Sequence, residues 1–182
     1  MKAAAKEQRI RFIDLFAGLG GFHVGVSQLG HECVFASELD DGLREIYAKN
    51  FSLTPSGDIR SVNERLIPDH EMMCAGFPCQ PFSRAGKKRG AKCPSSGKLV
   101  DEVFRIARAK KPKYIILENV PDVISIENGK FWKYLMSGLT DLGYEVDHKI
   151  YTPVEFGIPQ KRQRVFIVAC RNGLKHFNWP LP

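Results

Sequence analysis

Short apolar runs alternate along this chain with longer segments whose apolar residues recur at helical spacing. "IRFIDLF" (10–16), "ECVFAS" (32–37), "EMMCAGF" (71–77) and "KYIILENV" (113–120) read as buried strands. A segment around Phe22–Gln28, "DGLREIYAKNF" (41–51), "GKLVDEVFRIARAKK" (97–111) and "GKFWKYLMSGLTDLG" (129–143) read as helices. A further strand is predicted to end at "GDI" (57–59), and "EVDHKIYTP" (145–153) and "RVFIVACR" (164–171) read as two final strands. Strand and helix in turn predict an α/β fold: a mostly parallel, doubly wound sheet with helices on both faces. At 182 residues the length suits one domain over 1–182. Gln80 to Gly97, rich in Gly, Ser, Lys and Pro, is the longest predicted loop.

In such sheets, ligands bind beyond the carboxyl ends of the strands. Those ends carry the unusual residues: "DLFAGLGGF", "SELD", "GDI", "GFPCQ" and "ENV". "FAGLGG" after a strand is a tight turn whose backbone can approach a ligand. Counted from Gly18 and Gly20, the third position of a dinucleotide fingerprint is His23, which weakens a pyrophosphate reading. Glu38, 20 residues beyond Gly18, is placed to accept ribose hydroxyls, and Asp58 an adenine amino group, with Ile59 against the ring. Together they favour a nucleoside-like cofactor over a turn kept only for packing.

Composition narrows the class. No apolar run approaches the roughly 18 residues of a membrane span, and "MKAAAKEQRI" lacks a signal-peptide core, so the expected location is the cytoplasm. The five cysteines form no CxxC pair, which argues against a disulfide framework and a zinc site. The formal charge of +7 is clustered in "SRAGKKRGAK", "RIARAKKPK" and "PQKRQR", each near a predicted strand end, which favours a phosphate-rich partner over a solvated face.

Among the cysteines, Cys79 stands apart: prolines at 78 and 81 would lift it out of the core, where a thiolate can attack an electrophilic carbon. Cys74 and Cys170 lie inside apolar runs and read as core. Glu118 ends an apolar strand, so a half-buried carboxyl with a raised pKa, suited to donating a proton, is expected; the alternative is an acid paired structurally with an arginine. Asn119 is placed to orient the same substrate edge, and Arg162 and Arg164 share one side of an extended strand, available to an anionic oxygen.

Taken in order and spacing, "DLFAGLGGF", "SELD", "GDI", "GFPCQPFS", "ENV" and "FGIPQKRQR" resemble the C5-cytosine DNA methyltransferases, from about Ile10 to Arg171. The chain looks most like the catalytic part of the bacterial restriction–modification enzymes. The resemblance implies a Rossmann-like S-adenosylmethionine-dependent methyltransferase fold, with an antiparallel strand near the C-terminus. Phe16, Gly18, Leu19, Gly20, Glu38, Leu39, Asp58, Ile59, Phe77, Pro78 and Leu99 would hold S-adenosyl-L-methionine, leaving S-adenosyl-L-homocysteine as product. Cys79 would attack C6 of a flipped-out cytosine, Glu118 would bind its N3 and amino edge, and Arg164, supported by Arg162, would hold its oxygen. Gln80, Ser83, Lys87, Arg89 and Asn119 would contact the substrate, the basic loop meeting phosphates of double-stranded DNA. The resemblance implies no metal and no membrane, and a bacterial cytoplasm or nucleoid.

Members of that family continue into a target-recognition domain and a closing "GNSV"-like helix, whereas this sequence reaches "NWPLP" where the second domain would begin. "CPSSGKL" also departs from the acidic, arginine-containing stretch common there. The missing parts are therefore expected either on a second polypeptide, as in split members of the family, or lost by truncation, and the chain alone should bind cofactor weakly and methylate little. The alternatives are an RNA (tRNA) cytosine-5 methyltransferase and a non-catalytic cofactor- or DNA-binding subunit. An NAD-type oxidoreductase leaves Cys79 and the arginine strand unexplained.

Overall fold

A computed structural model describes residues 9–78 and 97–182. Strands β1 (Arg11–Leu15), β2 (Glu32–Ser37), β3 (Met72–Ala75), β4 (Tyr114–Asn119), β5 (Glu145–Tyr151) and β6 (Arg164–Cys170) form one sheet in the order β2-β1-β3-β4-β6-β5. The first four are parallel; β6 runs antiparallel to both β4 and β5. Helices α1 (Gly21–Ser27), α2 (Asp41–Phe51), α3 (Gly97–Lys110) and α4 (Lys130–Asp141) fill the connections.

Alternation along the strands sends successive residues to opposite faces. Ile13, Leu15, Met73, Ala75, Ile115, Leu117, Val165, Ile167 and Ala169 point to one face and build the main core with Val103, Ile106 and Ala107 of α3 and Leu135 and Leu139 of α4. On the other face, Phe12 and Cys74 meet Val26 of α1 in a smaller cluster. Each buried aliphatic side chain contributes roughly 1.5–3 kcal/mol, so the α3/α4 face anchors the fold. Helix α2 starts where the Asp40 side chain accepts the Leu43 N–H at 2.9 Å. It ends at Ser52, in a left-handed conformation with φ 53°.

The chain runs from β1 to β2 on one side and then to β3 on the other, so the sheet has its switch point between β1 and β3. The strand expected to end at "GDI" does not form. Ser56 makes a single parallel bridge to Ser37, and the chain then turns into a short 3-10 helix, Ile59–Ser61. Pro55 has no N–H to give a ladder, and the Asp58 side chain accepts the Arg60 N–H at 3.0 Å, ending extension there. The "RIARAKKPK" cluster lies at a strand end as expected, though away from the candidate site. It closes α3 and leads into the amino end of β4, opposite the strand ends that carry the candidate site.

Candidate active site at the switch point

The glycine turn leaves β1 at the switch point. Phe16, Gly18 and Gly20 all have positive φ (56°, 55° and 84°), so the backbone coils left-handed three times within five residues. Glu38, at the end of β2, fastens the turn: its Oε2 accepts the Gly18 N–H at 2.8 Å while Oε1 accepts the Asp40 N–H at 2.9 Å. Ala17 N–H donates to Ser37 O at 2.9 Å. A methyl group built on Gly18 would meet no atom within 4 Å, so the turn faces open space. Ser37 Oγ is buried there without a hydrogen-bond partner among the described residues. Leu19 and Leu39 are 61% and 67% exposed on either side of the turn.

Asp58 and Ile59 sit at the neighbouring edge, but not as the sequence suggested. Arg60 grips the Asp58 carboxylate, with Nε 2.9 Å from both oxygens, and these hydrogen bonds hold the Asp58 carboxyl below the usual carboxylate range. Ile59 is 3% exposed and its side chain belongs to the main core, so that side chain offers an adenine ring little surface. Its carbonyl accepts a 3.0 Å hydrogen bond from Arg105 of α3, which also pairs with Glu64 and Glu102. This anchorage went unseen in the sequence, where "FRIAR" reads only as part of a basic run. Leu99, in the first turn of α3, is half-buried.

Beyond β3 and β4, residues from three distant stretches converge. Antiparallel pairing sets Val165 opposite Asn119 and Phe166 opposite Glu118, which brings Arg164, the first residue of β6, to the carboxyl end of β4. Arg164 Nε lies 2.6 Å from Glu118 Oε1, both side chains being about one-quarter exposed. A methyl group on Gly76 would lie 3.4 Å from Glu118 Oε2, placing this carboxylate against the corner after β3. Asn119 is buried and ties that corner to β4: its Nδ2 donates to Phe77 O at 3.0 Å and its Oδ1 accepts the Val120 N–H at 2.8 Å. Phe77 is buried and Pro78 exposed. The carboxyl of Glu118 is thus half-buried as expected but held by an arginine rather than isolated in an apolar wall. Arg162 is exposed in the segment before β6, so the two arginines do not share a strand face. The strand begins only at Arg164, because "GIPQKRQ" follows the turn closed at Gly157, with φ 77°.

Cys79, Gln80, Ser83, Lys87 and Arg89 lie outside the described residues. Cys74 and Cys170 are buried, as core thiols should be. Among the described residues no cluster of His, Cys, Asp or Glu could hold a metal ion, and no helix is long and apolar enough to cross a membrane.

Known proteins resemble this chain in sequence and in fold. The family model for C-5 cytosine-specific DNA methylase matches residues 10–182. The chain is 44% identical over 175 residues to the type II methyltransferase M.HhaI of Haemophilus parahaemolyticus, covering 95% of this chain and 53% of that protein. It is also 44% identical over 172 residues to M.MspI of Moraxella sp, covering 94% and 41% respectively. The chain therefore spans about half the length of the curated relatives it matches. In three dimensions it resembles the S. pombe Dnmt2 methyltransferase, with TM-score 0.75 and 25% identity over 94% of this chain and 53% of that one. The Entamoeba histolytica methyltransferase EhMeth shares the fold, with TM-score 0.78 at 22% identity over 96% of this chain and 57% of that one.

Proposed function

The chain belongs to the C-5 cytosine-specific DNA methylase family, and on that footing we propose that it is the catalytic portion of a DNA (cytosine-5-)-methyltransferase of the restriction–modification type. The convergence of Glu118, Asn119, Arg164 and the Gly76–Pro78 corner at the switch point, beside the fastened glycine turn, carries this reading. Open space over Gly18, the Glu38 carboxylate and the buried Ser37 hydroxyl fit S-adenosyl-L-methionine, with Phe16, Leu19, Gly20, Leu39, Asp58, Ile59, Phe77, Pro78 and Leu99 completing its surroundings. When bound, that cofactor supplies an electrophilic methyl group.

Cytosine is a poor electrophile, so attack at C6 and protonation at N3 must be coupled. Cys79, immediately after the corner held by Asn119, supplies the thiolate that adds to C6 of a cytosine turned out of the duplex. Glu118 carries the N3 proton and receives it back, while Arg164, already in contact with that carboxylate, offers its remaining N–H groups to the pyrimidine oxygen. Arg162 supports this edge. The adduct makes C5 nucleophilic; after methylation the C5 proton leaves, the C6–S bond breaks and the thiolate returns. Gln80, Ser83, Lys87 and Arg89 contact the DNA, whose phosphates the basic segment attracts.

We assign target recognition and closure of the site to a second polypeptide, with residues 1–182 forming one catalytic domain. Leu19, Leu29 and Leu39, each more than 60% exposed around the turn and α1, are the apolar surface such a segment would cover. The setting is the bacterial cytoplasm. The test is to mix the chain with cofactor and duplex DNA carrying 5-fluorocytosine, with and without the second polypeptide, and with tRNA as a competing acceptor. A covalent DNA adduct that is lost in Cys79→Ser is expected, and it should form efficiently only with the partner. An adduct that survives the substitution, or one made on tRNA alone, sinks the reading.

A further inference from the structure

His23, the residue that breaks the dinucleotide fingerprint, has no part in the chemistry above, yet it sits in a bonded polar and aromatic cluster. Its ring stacks on Phe51 with centroids 4.0 Å apart and planes 13° from parallel. Its Nδ1 lies 2.7 Å from the hydroxyl of Tyr47, a fully buried residue of α2. That hydroxyl is in turn 3.5 Å from Oδ2 of Asp14, which is 1% exposed near the end of β1. The backbone N–H of His23 also faces the Asp14 carboxyl and favours its charged form. Asp14 and His23 flank the glycine turn, so these bonds close the loop that contains Phe16, Gly18 and Gly20. The same aromatic pair abuts its far end: a methyl group on Gly20 would come within 2.3 Å of Phe51 and 3.1 Å of Tyr47.

We propose that His23 is a positioning residue for the glycine turn, its ring clamping the turn to Asp14 by way of Tyr47. The inference rests on the cofactor reading of that turn and deepens it. A turn with three left-handed residues is costly to hold in one shape, and the clamp removes the alternatives before a ligand arrives. A third glycine at position 23 would supply neither the stack nor the ring hydrogen bond to Tyr47, which gives the histidine a reason to be there.

The clamp has a proton in it. Burial pushes the Asp14 carboxyl up to about 8, against the hydrogen bonds from His23 N–H and the Tyr47 hydroxyl, which lower it. Burial also keeps His23 neutral by lowering its pKa. The other titratable groups facing Asp14 are Cys33 and Glu38 from the β2 side and Cys74 from β3. Ligand over the turn would take further water from this cluster and favour the neutral carboxyl. Cofactor affinity should therefore fall above pH about 8, by at most about tenfold per unit.

The experiment uses the full chain, ligand-free and with S-adenosyl-L-homocysteine, whose neutral sulfur removes charge attraction from the comparison. His23→Phe keeps the stack on Phe51 but loses the ring hydrogen bond to Tyr47; Tyr47→Phe loses the hydroxyl; His23→Asn returns a hydrogen-bonding side chain. In both Phe variants, amide hydrogen exchange at Gly18 and Gly20 should rise about tenfold with β4 amides unchanged, and calorimetric affinity should drop about tenfold. His23→Asn should recover most of both. Wild-type affinity should fall above pH about 8 while Asp14→Asn stays level. Unchanged exchange at the turn, an equal rise in β4, or a level wild-type pH profile would overturn the clamp. Restored protection in His23→Asn without any binding of S-adenosyl-L-homocysteine would leave the clamp standing and remove the cofactor reading instead.

Discussion

The ends of β1 and β2 and the ends of β3 and β4 lie side by side in one sheet, yet they are finished in different ways. On the β1/β2 side the polar groups bond to one another across at most 33 positions: Glu38 to Gly18 and Asp40, Asp14 to Tyr47, Asp58 to Arg60. On the β3/β4 side the corner depends on residues more than 40 positions apart, Asn119 to Phe77 and Arg164 to Glu118. The first region can hold its shape before any ligand binds. The second holds its carboxylate through one ion pair that an incoming base must share. On the proposed function, the difference separates a preformed cofactor seat from a reaction edge completed by its substrate.

The largest effect should come from the single pair on the reaction edge. Glu118→Gln keeps the shape of the side chain but can no longer carry the N3 proton. Its rate of adduct formation with 5-fluorocytosine DNA should fall a hundredfold or more, about 3 kcal/mol, in the range of general acid catalysis. Affinity for S-adenosyl-L-homocysteine should stay within about twofold. A matching loss of cofactor affinity would show that the two regions are not separable.

Next comes a contrast within the cofactor seat. At Gly20 the side-chain direction is filled by Phe51 and φ is +84°, whereas at Gly18 it is open with φ +55°. Gly20→Ala should therefore destabilise the whole chain by about 2 kcal/mol, seen as a lower Tm. Gly18→Ala should cost about half of that but weaken cofactor binding more, because its methyl group projects where the ligand lies. Equal losses of Tm would mean that the aromatic shelf under Gly20 yields.

This contrast also bears on what was legible in the sequence. The elements were readable wherever apolar period and length agreed, as in β1, β4, α3 and α4. The exception was "GDI", where a capping aspartate after a proline turned a strand-like run into a 3-10 turn; side-chain hydrogen bonding competed with the ladder and won. At the site, Glu38 and the glycines were readable because one β-α-β unit sets their spacing. The Arg164–Glu118 pair followed from no local pattern, since it depends on β6 running antiparallel to β4. Arg105 and Tyr47 were hidden for a similar reason: on a helix, a residue that bonds across the fold looks like any other charged or aromatic position. Asp14 did leave a signal, a carboxylate inside an apolar strand, which a buried partner had to accompany.

The buried carboxyl allows the preformed region to be read through pH. Asp14 keeps its proton in the fold up to about 8, while the unfolded chain loses it near the ordinary carboxyl value of 3.8. Between these values the folded state holds more protons, so stability falls as pH rises. Below pH about 6.5, His23 and His70, whose folded pKa values burial lowers, work in the opposite sense. The raised Cys33 thiol and Tyr47 hydroxyl lower stability only at higher pH, once their unfolded counterparts ionise. From pH 6.5 to 8, urea unfolding of the wild type should therefore lose roughly 1 kcal/mol per pH unit relative to Asp14→Asn. Parallel profiles for the two proteins would place the Asp14 carboxyl in contact with water.

The smallest effect separates a group that builds the cofactor seat from one that competes for it. Arg60 holds the carboxylate of Asp58 on a partly exposed edge, where such a pair is worth less than about 1 kcal/mol. If that carboxylate is the one that receives the adenine amino group, the arginine and the ligand seek the same oxygens. Removing the guanidinium in Arg60→Ala should then tighten S-adenosyl-L-homocysteine binding about threefold at low salt, and the gain should shrink as added salt screens the wild-type pair. Weaker binding in Arg60→Ala at every salt concentration would make Arg60 a wall of the seat, and the adenine would then have to be read by the backbone around Ile59 that Arg105 holds in place.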